Sequence, residues 1–293
     1  MKVSKKIYAL GFFDGVHLGH QALIGECVRL ARELDAQAAA ITFDRHPQSL
    51  FAQTPPALLR STADRVALLR HYGVEHIRLL PVTAQIMGQS WEDFLNTLVK
   101  DGARGFVCGN DFRFGHKGEG DAKKLQQFCS EHDLPCVIVP EQTLNGVRIS
   151  STYIRSLIEE GDVETAAKFL GHPHALSGEV VAGRQIGRSI GVPTANILIP
   201  EDIVVPKLGV YACLCEIGGK KYSAVTNIGF RPTVGGHQVR AESWILDFEG
   251  DLYGKRITLE FVKFLRPEHK FSSLEELKAQ IQIDAAETRR LLQ

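Results

Sequence analysis

The sequence predicts two domains: an α/β domain with a parallel sheet, and a small antiparallel β-barrel that ends in a helix. In the first half of the chain, apolar runs of strand length alternate with segments of helix length, which is the pattern of a parallel sheet with helical crossovers. Beyond Pro173, short β-like runs follow one another closely between turn residues, as in small barrels. The 293 residues are enough for two domains of ordinary size. We therefore predict domains at 1–173 and 174–293.

Strands and helices alternate regularly through the first domain. Residues 7–10 predict the first strand, and apolar positions from Leu23 to Leu34 predict an amphipathic helix after it. Ser90 and Asp93 form a capping box that starts a later helix. Further strands are predicted at 36–43, 76–82, 104–108 and 135–140, and further helices at 62–72, 90–102 and 121–132. A sheet of this kind binds its ligand at the carboxyl ends of the strands.

The pattern changes in the second half of the chain. Two short helices at 151–160 and 163–170 precede a linker at 171–174. Gly218-Gly219 separates two β-like runs and predicts a hairpin. A last helix begins at a capping box of Ser273 and Glu276, and we expect it to bury Leu277, Ile281 and Leu291. The β-like runs lie at 176–181, 209–216, 221–228, 242–248 and 256–264.

The composition is that of a soluble globular protein, with 44% hydrophobic and 23% charged residues. Lysine plus arginine and aspartate plus glutamate both number 34, so we expect neither nucleic acid nor a membrane as a partner. We recognise no signal peptide, and no apolar run approaches the roughly 18 residues of a membrane span. The six cysteines lack Cys-x-x-Cys spacing and sit in apolar segments. A reducing cytoplasm is the expected location.

A turn rich in glycine and histidine follows the first strand. Residues 11–20 read GFFDGVHLGH and lead into the first helix. Glycines let the backbone approach a ligand closely, and the free N–H groups and dipole of a helix N-terminus suit phosphate. Histidines there can stabilise charge on a departing phosphate group. The spacing matches neither the dinucleotide fingerprint nor the P-loop. The alternative is a plain glycine turn with two surface histidines.

This turn resembles the His-x-Gly-His signature of nucleotidylyltransferases. Three further segments resemble the adenylyltransferase module of the bifunctional riboflavin kinase/FMN adenylyltransferase family: TFDRHP at 42–47, GNDFRFG at 109–115 and ISSTYIR at 149–155. The resemblance implies a Rossmann-like nucleotidylyltransferase domain with His17 and His20 as catalytic residues. It also implies that ATP is bound by Gly11, Phe13, Asp14, Gly15, Gly19, Asn110, Asp111, Ser151, Thr152 and Arg155.

The second half resembles the riboflavin kinases of the same family. Residues 191–196 read GVPTAN, and in that family the threonine and asparagine help to hold Mg²⁺ and the ATP phosphates. The resemblance therefore makes Thr194 and Asn196 metal ligands, and their oxygen atoms suit a hard cation. By further matches at 227–233, 247–254 and 264–271, Glu242 is the general base for the riboflavin hydroxyl. The flavin and kinase site would include Gly183, Gly187, Arg188, Asn227, Arg231 and Arg266.

The resemblance covers essentially the whole chain and implies two reactions. Riboflavin is phosphorylated by ATP to FMN, and FMN is adenylylated to FAD with release of pyrophosphate, with Mg²⁺ as the cofactor.

Three residues depart from the family pattern: Phe12 replaces an expected asparagine, and Ala182 and Trp244 each replace an expected histidine. Two alternatives stay open. One is a monofunctional relative with one of its two modules decayed, and the departures around Ala182 favour the kinase half as the decayed one. The other is a flavin-binding sensor or carrier without turnover.

Overall fold

The computed structural model describes residues 4–182, 191–233 and 236–292, and within these ranges it leaves out the side chains of 231–233 and 236–237. The chain divides into two compact units, Met1–Ser151 and Thr152–Gln293. The first holds a parallel sheet and the second a closed barrel, so the predicted fold class is confirmed. Among the described residues, no helix is both long enough and apolar enough to cross a membrane.

The first unit is built on a five-stranded parallel sheet with the strand order β3-β2-β1-β4-β5. Because the first strand lies in the middle of the sheet, the turn that follows it lies at the centre of the carboxyl edge. The strands are β1 (Lys6–Leu10), β2 (Gln37–Phe43), β3 (His76–Leu80), β4 (Ala103–Gly109) and β5 (Cys136–Val139). The helices are α1 (Leu18–Glu33), α2 (Thr62–His71), α3 (Ala84–Met87), α4 (Trp91–Lys100) and α5 (Ala122–Glu131).

Strand β1 is buried on both faces, which explains its continuous apolar sequence. Ile7 and Ala9 point into one apolar cluster, where Leu23 of α1 also lies. Tyr8 and Leu10 point into a second cluster on the other face, which includes Leu95 of α4. The alternation of side chains along a strand therefore divides the core into two layers around the sheet. Ser90 caps α4 as predicted, since its hydroxyl accepts a hydrogen bond from the Asp93 backbone N–H at 3.1 Å.

The sequence analysis missed a small hairpin near the end of the first unit, although Asn145-Gly146 is a typical signal of a two-residue hairpin turn. It consists of β6 (Thr143–Leu144) and β7 (Val147–Arg148), which pair antiparallel. Each strand has two residues, which is too short for an alternating apolar pattern. The hairpin matters because it places Arg148 next to the glycine-rich loop that follows β4.

The second unit is a six-stranded barrel with the order β10-β11-β12-β9-β8-β13, closed by pairing of β13 with β10. The helices α6 (Ser151–Glu160) and α7 (Val163–Leu170) precede the barrel. The barrel strands are β8 (Ala175–Val181), β9 (Ala195–Leu198), β10 (Gly209–Ile217), β11 (Lys220–Thr233), β12 (Gly236–Ile245) and β13 (Arg256–Arg266). The last helix is α8 (Leu274–Leu292).

Helix α6 is hydrogen-bonded to the barrel. The Lys207 backbone N–H donates to the Ile158 carbonyl at 3.2 Å, and the Tyr211 hydroxyl donates to the Lys207 carbonyl at 2.5 Å. These contacts explain why the second compact unit begins at Thr152. A functional boundary at 173/174 stays a prediction.

The burial expected for α8 was wrong. Leu277, Ile281 and Leu291 are only partly buried, whereas Asp284, Ala285 and Thr288 are buried. The physical reason is that Leu277 and Ile281 line a cavity rather than a filled core. The predicted strand at 242–248 also differs, because β12 ends at Ile245 and begins well before Glu242. Glu242 thus lies inside a strand that pairs on both sides.

Candidate active sites

A cavity of about 270 Å³ opens at the carboxyl edge of the parallel sheet. The turn after β1, the loop after β4, the segment after β5 and the residues that follow β6 all contribute to its walls. The predicted residues Gly11, His17, Gly19, His20, Asn110, Asp111 and Ser151 line it. Four segments far apart in sequence therefore meet where a parallel sheet is expected to bind its ligand.

His17 and His20 are held together at the start of α1. His17 caps the helix, and its Nδ1 accepts a hydrogen bond from the His20 backbone N–H at 3.3 Å. The two imidazole rings stack with centroids 3.6 Å apart and an interplanar angle of 14°. Because Nδ1 of His17 is an acceptor, the proton of the neutral ring belongs on Nε2. The cap therefore fixes which nitrogen of His17 can donate to a ligand.

His20 is held in its neutral form. Burial lowers the pKa of His20 well below its ordinary value of 6.5, and the neighbouring His17 and Arg65 lower it further. Its Nδ1 is buried without a hydrogen-bond partner among the described residues. A neutral imidazole keeps one donor and one acceptor nitrogen. His20 can therefore make a directed hydrogen bond in the cavity without carrying charge of its own.

Three predicted nucleotide-binding residues, Phe13, Asp14 and Gly15, form the turn itself and lie outside the cavity lining. Phe13 and Gly15 have φ values of 58° and 75°, in the left-handed region. Asp14 Oδ1 accepts from the Leu59 N–H at 2.9 Å, and the Asp14 carbonyl accepts from the Ser151 hydroxyl at 3.1 Å. These bonds hold the turn in place, and a direct role of the three residues in ATP binding stays a prediction.

Arg148 was missed by the sequence analysis, although it stands next to the ISSTYIR segment. Its guanidinium pairs with the carboxylates of Asp111 and Glu141, the latter at 2.9 Å. All three residues line the cavity. The cavity that the two histidines line therefore also holds a cation, paired with two carboxylates. A guanidinium is well suited to bind phosphate oxygens. Thr152 and Arg155 lie on α6 in the second unit, and their role in ATP binding stays a prediction.

The second unit contains two cavities that share Thr194. One of about 370 Å³ is lined by Glu242, Asn227 and Arg266, and one of about 220 Å³ is lined by Asn196. Strand pairing places Glu242 directly opposite Asn196 of β9 and Asn227 of β11. Residues directly opposite each other in a sheet project to the same side, with Cβ atoms about 5 Å apart. The predicted general base and one predicted metal ligand are therefore neighbours.

Asn196 presents an oxygen atom suited to a hard cation. The side chain is 4% exposed, and its Nδ2 donates weakly to the Thr194 carbonyl at 3.4 Å. Its Oδ1 is buried without a hydrogen-bond partner among the described residues. Such an oxygen costs free energy unless a cation, a water or another hydrogen-bond donor satisfies it. In the described part of the chain, no group of three or more His, Cys, Asp or Glu could hold a metal ion.

Two acidic residues missed by the sequence analysis hold the predicted flavin-site residues in place. The Asn227 Nδ2 donates to Glu268 Oε1 at 2.8 Å. The Arg266 guanidinium is bidentate to Asp284 of α8, at 3.0 Å from Nε and 2.8 Å from Nη2. Arg266 therefore ties α8 to β13 along the cavity wall. Four other predicted flavin-site residues keep their roles only as predictions. The structure's described residues do not include Gly183, Gly187, Arg188 or the side chain of Arg231.

Comparison with known proteins identifies both halves. A family model described as FAD synthetase matches residues 1–153, and one described as riboflavin kinase matches residues 170–292. A bifunctional riboflavin kinase/FMN adenylyltransferase from Listeria monocytogenes is 38% identical over 288 residues, covering 97% of this chain and 91% of the relative. The protein of that name from Escherichia coli K12 is 36% identical over 282 residues, covering 95% and 90%.

The chain belongs to the bifunctional riboflavin kinase/FMN adenylyltransferase family. It is a bifunctional transferase that phosphorylates riboflavin to FMN and adenylylates FMN to FAD, with ATP as the co-substrate. Both family models match, so the monofunctional and non-catalytic alternatives are set aside. Among solved structures, a macrolide-efflux protein from Streptococcus pneumoniae has a TM-score of 0.89 and 33% identity, covering 99% of this chain and 95% of that one.

The motif residues divide between the two regions that the family models match. The histidines of the first turn lie in the unit that the FAD synthetase model matches, and Glu242 lies in the unit that the riboflavin kinase model matches. The residues that the sequence analysis missed, Arg148, Glu268 and Asp284, each pair with a residue that it singled out. Such partners are distant in sequence, so no local pattern marks them.

Proposed function

We propose that each unit carries one reaction, with adenylyl transfer in the cavity of His17 and His20 and riboflavin phosphorylation in the barrel cavity of Glu242. The observation that carries this division is the strand register that sets Glu242 opposite Asn196 and Asn227. It places a carboxylate, a cavity and an amide oxygen that has no partner among the described residues side by side within the barrel. The two histidines belong to the other unit and its own cavity.

In the barrel, Glu242 is the general base. Its carboxylate accepts the proton of the riboflavin 5′-hydroxyl while that oxygen attacks the γ-phosphorus of ATP, and the bond from this phosphorus to the bridging oxygen breaks to release ADP. Asn227, fixed by Glu268 at 2.8 Å, lies next to Glu242 and is placed to orient the hydroxyl. Positioning and electrostatics supply most of the catalysis in phosphoryl transfer.

Thr194 and Asn196 are the residues proposed to hold Mg²⁺. The support is the buried Asn196 Oδ1, which lacks a hydrogen-bond partner in the part of the chain that the structure describes, together with the position of Thr194 in the lining of both barrel cavities. A bound Mg²⁺ would neutralise negative charge on the ATP phosphates. Asn196 and Thr194 would then hold the phosphates close to Glu242.

In the first unit, a phosphate oxygen of FMN attacks the α-phosphorus of ATP, and the bond to the bridging oxygen breaks to release pyrophosphate. FMN is already anionic, so no strong base is required. His17 Nε2–H and neutral His20 donate hydrogen bonds to the phosphate oxygens as charge develops. The N–H groups at the start of α1 add positive potential at the same cavity, and Arg148, paired there with Asp111 and Glu141, can exchange a carboxylate for a phosphate oxygen.

Radiolabelled ATP distinguishes the two reactions. Label at the γ-phosphate should enter FMN, and label at the α-phosphate should enter FAD. We expect Glu242→Gln to abolish incorporation of the γ-label while supplied FMN still acquires the α-label, and His17→Ala to do the reverse. Folded variants in which either change removed both incorporations equally would overturn the division of labour.

We also infer that the enzyme acts in the cytoplasm, with neither nucleic acid nor a membrane as a partner. The support is the equal number of basic and acidic residues, which gives no net field toward polyanions. The cysteines are free thiols, and five of the six are buried. Burial raises the pKa of Cys27 and Cys213 to about 12, which keeps them unreactive.

A further inference from the structure

Trp244 lies two residues after Glu242 on β12, and both side chains line the same barrel cavity. Side chains two residues apart on a strand project to the same side, about 7 Å from each other. Trp244 is also one of the three residues that depart from the family pattern. The cavity wall next to the general base is therefore aromatic in this chain, where an imidazole was expected.

The cavity wall formed by β11 and β12 changes from polar to apolar side chains within two residues along each strand. Glu242 is opposite Asn227 on β11, and two residues further along Trp244 is opposite Val225. Trp244 packs against an apolar cluster that contains Val210, Val225, Leu246 and Ala285. The cavity wall therefore has a hydrogen-bonding end at Glu242 and an aromatic end at Trp244.

Helix α8 adds apolar surface to this cavity. Leu277 and Ile281 line it, as does Phe271 just before the helix. The Arg266–Asp284 pair fastens the helix to the barrel, with Asp284 only 4% exposed. An aromatic and aliphatic slot of this kind suits a flat apolar ring system.

Riboflavin likewise has a hydrogen-bonding end and an aromatic end. Its reacting hydroxyl ends a polar ribityl chain, and the other end is a flat tricyclic isoalloxazine. An extended ribityl chain is about as long as the separation of Glu242 and Trp244 on the strand. With the hydroxyl at Glu242, the ring system is thus brought to Trp244.

We propose that Trp244 forms the aromatic face of the isoalloxazine site and sets the affinity for riboflavin in the kinase reaction. The proposal rests on the proposed function of the barrel. Aromatic stacking typically changes affinity by roughly 2- to 10-fold beyond its area burial. The residue acts on flavin binding, and Glu242 still performs the chemistry.

Steady-state kinetics of the full chain test this role. For Trp244→Leu we expect the KM for riboflavin to rise roughly 3- to 10-fold, with the KM for ATP unchanged. Trp244→Phe keeps an aromatic face and should restore most of the affinity. An unchanged riboflavin KM in Trp244→Leu would overturn the proposal. If the parent chain formed no FMN from riboflavin, the proposed function itself would fail.

Flavin fluorescence gives a second readout that does not depend on turnover. Stacked indole quenches isoalloxazine emission by contact, so riboflavin bound to the parent chain should be dim. Bound riboflavin should be brighter in Trp244→Leu and Trp244→Phe. The other tryptophan of the chain, Trp91 on α4, provides the matched control, since Trp91→Phe should leave the quenching intact. Equal quenching in the Trp244 variants and the parent would contradict the stacking.

Discussion

The imidazole rings of His17 and His20 lie face to face, with centroids 3.6 Å apart. Two rings this close resist carrying positive charge together, because like charges at short distance disfavour the second protonation. The rings are close because His17 is the N-cap of α1 and His20 lies in the first turn of the same helix. The arrangement therefore offers directed hydrogen bonds to phosphate rather than two cations.

Replacing His17 should reduce FAD formation selectively. Donors that stabilise developing charge are typically worth about 2.7–4 kcal/mol, so we expect His17→Ala to slow adenylylation of FMN by roughly 100- to 1,000-fold. FMN formation from riboflavin should persist at the parent rate. His71→Ala, which removes an exposed histidine from α2 of the same unit, should leave both rates unchanged. The test compares the initial rate of FAD formation from supplied FMN with the initial rate of FMN formation from riboflavin, and an equal loss of both rates in His17→Ala would contradict the prediction.

The low pKa of His20 predicts a pH-dependent stability. His20 protonates near its ordinary pKa of 6.5 in the unfolded chain, but only at lower pH in the folded chain. The unfolded state therefore binds more protons below about pH 6.5, and this part of the stability is lost as the pH falls. Thermal unfolding at several pH values from neutral downward should show a shallower decline for His20→Gln. Equal slopes would show that His20 titrates normally when folded.

The Arg266–Asp284 pair should matter for stability and for phosphorylation. Removing one partner of a buried pair leaves an uncompensated charge and costs about 3–5 kcal/mol. We expect Asp284→Asn to lower the stability of the second unit and weaken riboflavin phosphorylation, with adenylylation of FMN retained. Glu287→Gln breaks an exposed pair with Arg290 on the same helix and should lower the stability far less than Asp284→Asn does. Equal unfolding midpoints for the two variants would contradict this account.

Fragments test where the kinase half begins. The predicted boundary gives a fragment 176–293, and the compact unit gives 152–293. Both contain Thr194, Asn196 and Glu242 and should form FMN. We expect the longer one to be more stable, because it keeps the bond from Lys207 to Ile158 of α6. Chemical denaturation and an FMN assay on both fragments measure this. A folded 152–293 fragment that binds riboflavin and ATP but makes no FMN would contradict the kinase assignment.

Local patterns in the sequence predicted most of the fold. A long apolar run indicates a buried strand, and a capping residue such as Ser90 indicates a helix start, without knowledge of distant residues. For this reason β1, α4 and the change of pattern at the barrel could be recognised. Strand β9 could not be recognised, because its four residues overlap the GVPTAN motif at 191–196 and show no alternating pattern of their own. Long-range partners also left no local mark, as with Asn227 and Glu268, which are 41 residues apart. The burial of α8 was misjudged because an apolar stripe predicts a buried face whether it meets a core or a ligand cavity.

Mixing two defective variants tests the division of labour most directly. General-base assistance is typically worth about 10²- to 10⁴-fold, so Glu242→Gln should make almost no FMN, while His17→Ala should make FMN and almost no FAD. Glu275→Gln, an exposed carboxylate on α8, serves as the matched control and should behave as the parent. We predict that riboflavin and ATP yield FAD when the two variants are mixed, since FMN made by one is adenylylated by the other. No FAD from the mixture, with both variants folded, would contradict two separate and independently competent sites.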